Sequence, residues 1–151
     1  MFRGLHTINL DAKGRLAIPT KYREALVGLS GARLVVTVDM EDRCLLVYPL
    51  NEWEVIQNKI AELPNMNPVV RRMQRMLIGH ANDVELDASG RILLPQPLRE
   101  YAGLDKEVVL MGQGKKLELW SKSEWDDRRN EYLDAAKQSE PLPAELQSFS
   151  L

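Results

Sequence analysis

The chain has 151 residues, of which 44% are hydrophobic and 28% charged. This composition is typical of one globular domain or of two small ones, and it argues against wholesale disorder. Charges interrupt every apolar run before it reaches the roughly 18 residues of a membrane span, and the N-terminus lacks the apolar core of a secretory signal. The single cysteine, Cys44, lies in an apolar run. We therefore expect a buried thiol and a reducing, cytoplasmic environment.

The charge is distributed unevenly along the chain, although its net value is only −2. Residues 1–81 contain 11 basic and 8 acidic residues, a net charge of +3, whereas residues 82–151 contain 9 basic and 14 acidic residues, a net charge of −5. The net value argues mildly against a nucleic-acid partner. The basic excess in the first part nevertheless leaves room for one.

The sequence contains an internal repeat. Residues 8–19 recur as residues 84–95, and both copies contain Leu-Asp-Ala-x-Gly-Arg followed four residues later by Pro. The match continues with Arg23-Glu24 against Arg99-Glu100, and then with Tyr48, Glu52 and Trp53 against Trp120, Glu124 and Trp125. Two copies of about 70 residues account for nearly the whole chain, which indicates a duplication.

Each copy predicts the same order of elements: a strand, the Asp-x-x-Gly-Arg turn, a second strand, a short helix, a β-hairpin and a closing helix. The predicted strands are 5–10, 15–18, 34–38 and 44–48 in the first copy, and 83–86, 91–94, 108–111 and 117–120 in the second. The predicted helices run from a Thr20 cap to near Gly28, over 50–63, over 67–79, from before Pro97 to near Gly103, and over 123–137 with Ser123 as the cap.

This order predicts an α+β fold in which two tandem β-rich halves with appended helices form a pseudo-two-fold internal duplication. The expected boundaries are 1–81 for the first half with its linker helices and 82–137 for the second half. Residues 138–151, which contain two prolines, are expected to form a flexible tail.

In the repeated turn, the aspartate and the glycine form the turn itself, whereas the arginine is not required for it. Asp11 can accept backbone N–H bonds within the turn, and Gly14 can adopt the positive φ that closes it. The second copy has Asp87, Gly90 and Arg91 at the equivalent positions. A turn needs no guanidinium at its exit, where Arg15 stands. This side chain could pair with Asp11, four residues earlier, or bind a phosphate or a guanine edge.

Several short motifs accompany the repeat. They are Met1-Phe2-Arg3-Gly4, the two Asp-x-x-x-Arg turns, Tyr48-Pro49-Leu50-x-Glu52-Trp53, Asn67-Pro68 and Arg75-x-Leu77-x-Gly79-His80-Ala81. Together, in this order and spacing, they resemble the MraZ family of bacterial transcriptional regulators, which carry two AbrB-like halves. The resemblance covers residues 1–137.

The resemblance implies halves of the swapped-hairpin type and subunits assembled into a ring-like homo-oligomer in the cytoplasm, at the nucleoid. It also implies binding to double-stranded DNA at direct repeats, in the promoter of the protein's own division and cell-wall gene cluster. The family's motif arginines and aspartates correspond to Arg15, Arg91, Asp11 and Asp87. The candidate DNA-binding residues are then Arg15, Lys13, Arg3 and Arg91. We expect the first turn to dominate, because the second copy has Ser89 in place of Lys13.

The predicted linker helix contains a second basic group. Arg71, Arg72 and Arg75 lie on one face of that helix, opposite Val69, Met73 and Met76. We interpret this group as a solvated face or a subunit contact, with direct DNA contact as the alternative. Three tryptophans are interpreted as packing anchors rather than base-stacking platforms, namely Trp53, Trp120 and Trp125.

Motifs for catalysis or cofactor binding are not recognisable. His6 and His80 lack nearby metal-ligating partners in the sequence, and Gly112-Gln113-Gly114 lacks the third glycine of a nucleotide-binding loop. We therefore expect no enzymatic activity, metal, cofactor, small-molecule substrate or membrane partner. The alternative function is an oligomeric scaffold that does not bind DNA and whose basic turns bind an acidic protein. An antitoxin-like module is disfavoured, because it would carry a toxin-binding tail instead of a second full half.

Overall fold

The structure, a computed structural model, describes residues 1–138 and 141–151. The strands are β1 (Phe2–Asn9), β2 (Arg15–Ala17), β3 (Arg33–Val38), β4 (Leu45–Pro49), β5 (Asn82–Glu85), β6 (Arg91–Leu93), β7 (Glu107–Gly114) and β8 (Lys116–Ser121). The α-helices are α1 (Thr20–Ser30), α2 (Leu50–Ala61), α3 (Pro68–Met73), α4 (Gln96–Tyr101) and α5 (Lys122–Ala135). A π-helix (Gln74–Ile78) continues α3, and a short 3₁₀ helix (Ala144–Leu146) lies near the C-terminus.

The two halves of the chain are interleaved. Six strands form an antiparallel sheet in the order β1-β7-β8-β4-β3-β5, and β2 pairs with β6 in a separate two-stranded ribbon. The first strand of each half thus pairs with the third strand of the other half, β1 with β7 and β5 with β3. Within the first half, β1 and β2 share a single bridge between Leu10 and Leu16. This exchange confirms the α+β fold with two swapped-hairpin halves.

A pseudo-two-fold axis relates the halves and can be located from the strand registers. In the ribbon, Leu16 lies opposite Ile92, its own equivalent in the second copy. In the large sheet, β4 pairs with its equivalent β8, and Leu46 lies opposite Glu118. The axis therefore passes through both pairs. Residues that flank Leu16 and Ile92 are placed symmetrically on either side of it.

The six-stranded sheet is covered on both faces. One face packs against the ribbon, α1 and α4. The fully buried side chains of this layer include Leu16, Leu26, Val36, Ile92, Leu98 and Leu110. At one end of the opposite face, Trp53 of α2 and residues of the π-helix cover β3 and β4. At the other end, Trp125 of α5 packs against Trp120. Each fully buried Leu or Ile side chain contributes about 1.5–3 kcal/mol relative to an exposed one.

The buried positions confirm several sequence-based predictions. Trp53 and Trp120 are each only 3% exposed, so both are packing anchors. Cys44 is buried as expected, and its burial raises the pKa of the thiol well above the ordinary value. The linker helix has its predicted cap, because the Asn67 side chain accepts the backbone N–H of Val69 at 2.9 Å.

Three predicted helix ends were wrong. Thr20 is the first residue of α1 rather than its cap, because Pro19 takes the cap position and offers no side-chain acceptor. That helix ends at Gly31, with φ +61°, rather than at Gly28. Ser121 rather than Ser123 caps α5, accepting the backbone N–H of Glu124 at 3.5 Å. Propensity favours a residue type at a helix end, but tertiary context selects which candidate is used.

The expected C-terminal tail falls partly outside the described residues, which omit 139 and 140. The described part, residues 141–151, contains the 3₁₀ helix Ala144–Leu146, and its side chains are exposed. Across the described chain, each helix is too short or too polar to cross a membrane.

The ribbon offers a direct test of how far the core depends on the pairing of β2 with β6. We expect Ile92→Ala, which truncates a side chain that is only 1% exposed, to lower the free energy of unfolding by about 2–5 kcal/mol. The matched control is Leu93→Ala, since Leu93 is 56% exposed, and we expect a change within about 0.5 kcal/mol. Urea denaturation measures both, and equal losses would contradict the assigned register.

Candidate nucleic-acid interface

The first Asp-x-x-Gly-Arg turn is closed by its own side chain and backbone. One carboxylate oxygen of Asp11, Oδ1, accepts the backbone N–H of Lys13 at 3.0 Å and that of Arg15 at 2.8 Å. The N–H of Gly14 donates to the Asp11 carbonyl at 3.0 Å, and Gly14 has φ +88°, which favours glycine. The turn therefore has a defined shape, and its exit residue leaves in a defined direction.

The second turn repeats this geometry. Oδ1 of Asp87 accepts the N–H groups of Ser89 and Arg91 at 2.8 and 2.9 Å, and Gly90 has φ +74°. The two turns differ mainly in charge, because the exposed Lys13 of the first turn corresponds to Ser89 in the second. The first turn is therefore the more cationic of the two.

Each motif arginine is held by the aspartate of its own turn. Nε of Arg15 lies 3.0 Å from Oδ2 of Asp11, and Nε of Arg91 lies 3.1 Å from Oδ2 of Asp87. The hydrogen bonds within these pairs are donated by Nε and do not use the terminal amino groups of the guanidinium. The side chains are 34% and 39% exposed. The aspartates thus orient the arginines while leaving their outer edges available to a ligand.

The same contacts lower the pKa of both turn aspartates. The backbone N–H of Arg15, followed by its side chain, holds the pKa of the Asp11 carboxyl below its ordinary value. The backbone N–H of Arg91 likewise lowers the pKa of Asp87. Both aspartates are therefore negatively charged, and both ion pairs formed, throughout the neutral range.

The structure brings Arg15 and Arg91 onto one surface. Side chains alternate across a strand, so burial of Leu16 and Ile92 turns their neighbours to the outer face of the ribbon. In the antiparallel register Arg15 lies opposite Leu93. The two arginines are thus diagonal neighbours, whose Cα atoms are about 7–8 Å apart in such an arrangement.

Two further arginines lie at the turns, each contributed by the other half of the chain. A Cβ atom added to Gly14 would lie 2.7 Å from Nε of Arg99, and Gly90 is approached in the same way by Arg23. Nε of Arg99 donates to the Leu94 carbonyl at 3.1 Å, and Arg23 makes the equivalent bond to Ile18. Each turn therefore has a basic neighbour from the opposite half.

The sequence analysis did not identify Arg23 and Arg99 as candidate site residues. The signal was present, since Arg23 and Arg99 were recognised as equivalent positions of the repeat. What the sequence did not provide is the strand exchange, which places each of them against the turn of the other half. A repeat reveals that two residues correspond, but not which residues they contact.

Arg3 is not brought to the first turn. It lies at the start of β1, opposite Gln113 of β7, and its carbonyl accepts the Tyr22 hydroxyl at 2.6 Å. The eight residues from Arg3 to Asp11 span about 26 Å along an extended strand. The contact with Tyr22 instead places Arg3 beside α1, the helix that contains Arg23.

The linker-helix arginines lie elsewhere. Arg71, Arg72 and Arg75 are exposed on α3 and the π-helix. That segment packs on α2, where Nε2 of Gln74 donates to the Ile60 carbonyl at 3.0 Å. The π-helix reaches both sides of the sheet, because Leu77 and Ile78 pack on the α2 side and Met76 packs against the core on the ribbon side.

Both histidines contact other groups of the protein. His6 packs edge-on against Tyr22, with ring centroids 5.3 Å apart. Nδ1 of His80 lies 2.8 Å from the Met76 carbonyl. Among the residues that the structure describes, no group of three or more His, Cys, Asp or Glu side chains is arranged to hold a metal ion.

Comparison with known proteins agrees with this architecture. The family model described as "MraZ protein, putative antitoxin-like" matches residues 1–76 and 77–145, one match to each half. The chain belongs to the MraZ family. Proteins named "Transcriptional regulator MraZ" from Alkalilimnicola ehrlichii, Coxiella burnetii and Legionella pneumophila are 52%, 55% and 51% identical to it, each over the full length of both chains.

These names are those of regulators rather than of enzymes, in agreement with the expectation from the sequence. Each of the two matches to the family model contains one copy of the repeated turn. Of the features that suggested the MraZ family, the two Asp-x-x-x-Arg turns are those that the structure places together, at the ribbon.

The ion pairs of the turns make stability depend on pH in a defined direction. In Asp11→Asn with Asp87→Asn, the amide oxygen can still accept the backbone N–H bonds, but the negative charge is lost. Because both folded pKa values are lowered, the carboxylates stabilise the folded state above about pH 4, and that contribution disappears as pH falls through the folded pKa.

We expect the double variant to be less stable than the wild type near neutral pH, and the difference to vanish in acid. Urea denaturation at both pH values measures this. A deficit that stays constant into acid would mean that the two aspartates act only through their shape.

Proposed function

We propose that the protein is a sequence-specific DNA-binding regulator of transcription that acts through the outer face of the β2–β6 ribbon. The observation that carries the proposal is the pair Arg15 and Arg91, oriented by their aspartates on one exposed face across a pseudo-two-fold axis. The full-length relatives named as transcriptional regulators support it.

The shape of the ribbon suits the major groove. A two-stranded β-ribbon fits within the roughly 12 Å width of that groove, and an arginine can donate two hydrogen bonds to the O6 and N7 atoms of a guanine. The small Ala17 and the apolar Leu93 lie between the arginines on the same face, where they could contact thymine methyl groups. Lys13, Arg23 and Arg99, at the turns, are placed to neutralise phosphates on either side of the groove.

The net charge of −2 is compatible with this role when several copies act together. A ring-like homo-oligomer presents several ribbons at a high effective concentration, so that each one can be weakly basic. Subunits joined head to tail face the same way along DNA and match direct repeats, whereas two-fold dimers match palindromes. We place the target repeats in the promoter of the protein's own division and cell-wall gene cluster and the protein at the nucleoid, as the family resemblance implies.

The first test removes one guanidinium. We expect Arg15→Ala to weaken binding to DNA from the region upstream of the gene by about 1–3 kcal/mol, because one bidentate base contact is lost. Arg91→Ala should weaken it less, since the second turn lacks a counterpart of Lys13. Electrophoretic retardation or fluorescence anisotropy measures both affinities.

The matched control is Arg129→Ala, which removes an arginine that is 55% exposed on α5. It should leave the affinity for DNA unchanged. Size-exclusion chromatography should show that all three variants assemble like the wild type. Unaltered retardation by Arg15→Ala would refute the role of the ribbon.

The salt dependence separates DNA binding from the scaffold alternative. Binding to DNA through several phosphates should fall linearly in a plot of log affinity against log salt, with a slope of about −0.9 for each phosphate neutralised. Lys13→Ala should make that slope shallower by about one phosphate. A protein that used its basic turns only for an acidic protein partner would show no preference for promoter DNA over unrelated DNA in the same titration.

A further inference from the structure

A second basic surface lies on the linker helices. Arg71, Arg72 and Arg75 are exposed there, and they form no ion pair with the acidic residues that the structure describes. Residues 63–82 contain no acidic residue, so the segment carries no charge that would offset them. Met66 and Val69 of the same segment are 90% and 54% exposed. Arginine next to exposed apolar side chains is typical of a protein-binding surface.

An acidic stripe lies on α5. Its four carboxylates occur at intervals of three, four and three residues, which places them on one face of the helix: Glu124, Asp127, Glu131 and Asp134. All four are exposed, and Glu131 and Asp134 pair with Arg128 and Lys137 at 3.0 and 3.9 Å. Trp125, in contrast, packs inward against Trp120. The exposed apolar residues Tyr132 and Leu133 belong to the same helix.

Neither surface is required by the duplicated fold. The positions of α2 that correspond to the stripe are Glu52, Val55, Lys59 and Glu62, a mixed set. In the first half, α3 and the π-helix follow α2, whereas the described residues after α5 in the second half form the short 3₁₀ helix. The basic surface is thus specific to one half and the acidic stripe to the other, which also explains the opposite net charges of the two halves.

We propose that the basic surface of one copy, Arg71, Arg72 and Arg75, binds the acidic stripe of α5 in a second copy. The charges are opposite in sign and similar in number. A contact between two unlike surfaces is heterologous, so repeating it from copy to copy leads to a ring or an open chain. This inference rests on the self-assembly in the proposed function and names the surfaces that form it.

DNA is the other anion that could bind these arginines, but the structure favours a second copy. The arginine-bearing segment hydrogen-bonds to α2 through Gln74, whereas the turns of the ribbon are approached by Arg23 and Arg99. The acidic stripe, in contrast, is a complementary surface that every copy carries.

Charge reversal with restoration tests the contact. One variant carries Arg71→Glu and Arg75→Glu, which change the charge of the basic surface from +3 to −1. A second carries Glu124→Lys, Asp127→Lys and Asp134→Lys, which change the charge of the acidic stripe from −4 to +2. Each alone should fall from the assembled mass to the 17.2 kDa monomer in light scattering after size-exclusion chromatography at low salt. Mixing the two variants, or combining all five substitutions in one chain, should restore the assembly, because every contact between a reversed basic surface and a reversed stripe again joins opposite charges.

The matched control carries Glu54→Lys and Lys59→Glu, which reverse two exposed charges on α2, and it should assemble like the wild type. A monomeric wild type, an unchanged mass in the reversed variants, or a failure of the mixture to reassemble would each overturn the proposal. Circular dichroism and thermal melting check that the variants fold, and Arg71→Ala with Arg75→Ala provides a milder pair that should weaken assembly in the same direction.

The same variants separate this proposal from DNA binding by the ribbon. If Arg71→Glu with Arg75→Glu retains its mass but loses DNA affinity, the arginines contact DNA and the proposal fails while the proposed function stands. If Arg15→Ala leaves DNA binding intact but the charge-reversed pairs behave as expected, the ribbon assignment fails and the assembly contact stands.

Discussion

The pairing of β2 with β6 is the constraint on which the rest of the structure depends. Leu16 and Ile92 face each other at the pseudo-two-fold axis and are both buried. The ladder is extended by hydrogen bonds from Ile18 to the Gly90 carbonyl and from Leu94 to the Gly14 carbonyl, at 2.9 and 2.8 Å. A slip of one residue would bury the flanking arginines and expose the leucine and isoleucine, so the apolar core fixes the register. The core thereby also determines where the charges are displayed.

Strand exchange makes one chain equivalent to a two-fold dimer of halves. Each half lacks a partner strand that the other half supplies, and each turn is covered by an arginine of the other half. The symmetry places two similar basic turns on one ribbon. The departures from symmetry then distinguish the halves: Lys13 against Ser89 at the turns, and the linker arginines against the acidic stripe of α5. A duplicated chain can change one half without losing the shared core, which an assembly of identical halves cannot do.

Much of this could be predicted from the sequence, because the repeat and the turn chemistry are local. The strands, the hairpins, the Asn67 cap and the buried tryptophans follow from patterns within a few residues of each other. The pairing of β1 with β7, in contrast, joins residues about a hundred positions apart, and only the family resemblance suggested an exchange. For the same reason the positions of Arg23 and Arg99 at the turns could not be deduced, and Arg3 was grouped with a turn that lies a strand's length away.

The central claim is that the outer face of the ribbon meets DNA, and site-specific photo-crosslinking tests it most directly. A photoreactive phenylalanine analogue is placed at Leu93, in the middle of that face, or at Val55 on α2; the two positions are 56% and 53% exposed. With promoter DNA bound, we expect a crosslink from position 93 and none from position 55. A crosslink from position 55 with none from position 93 would contradict the account.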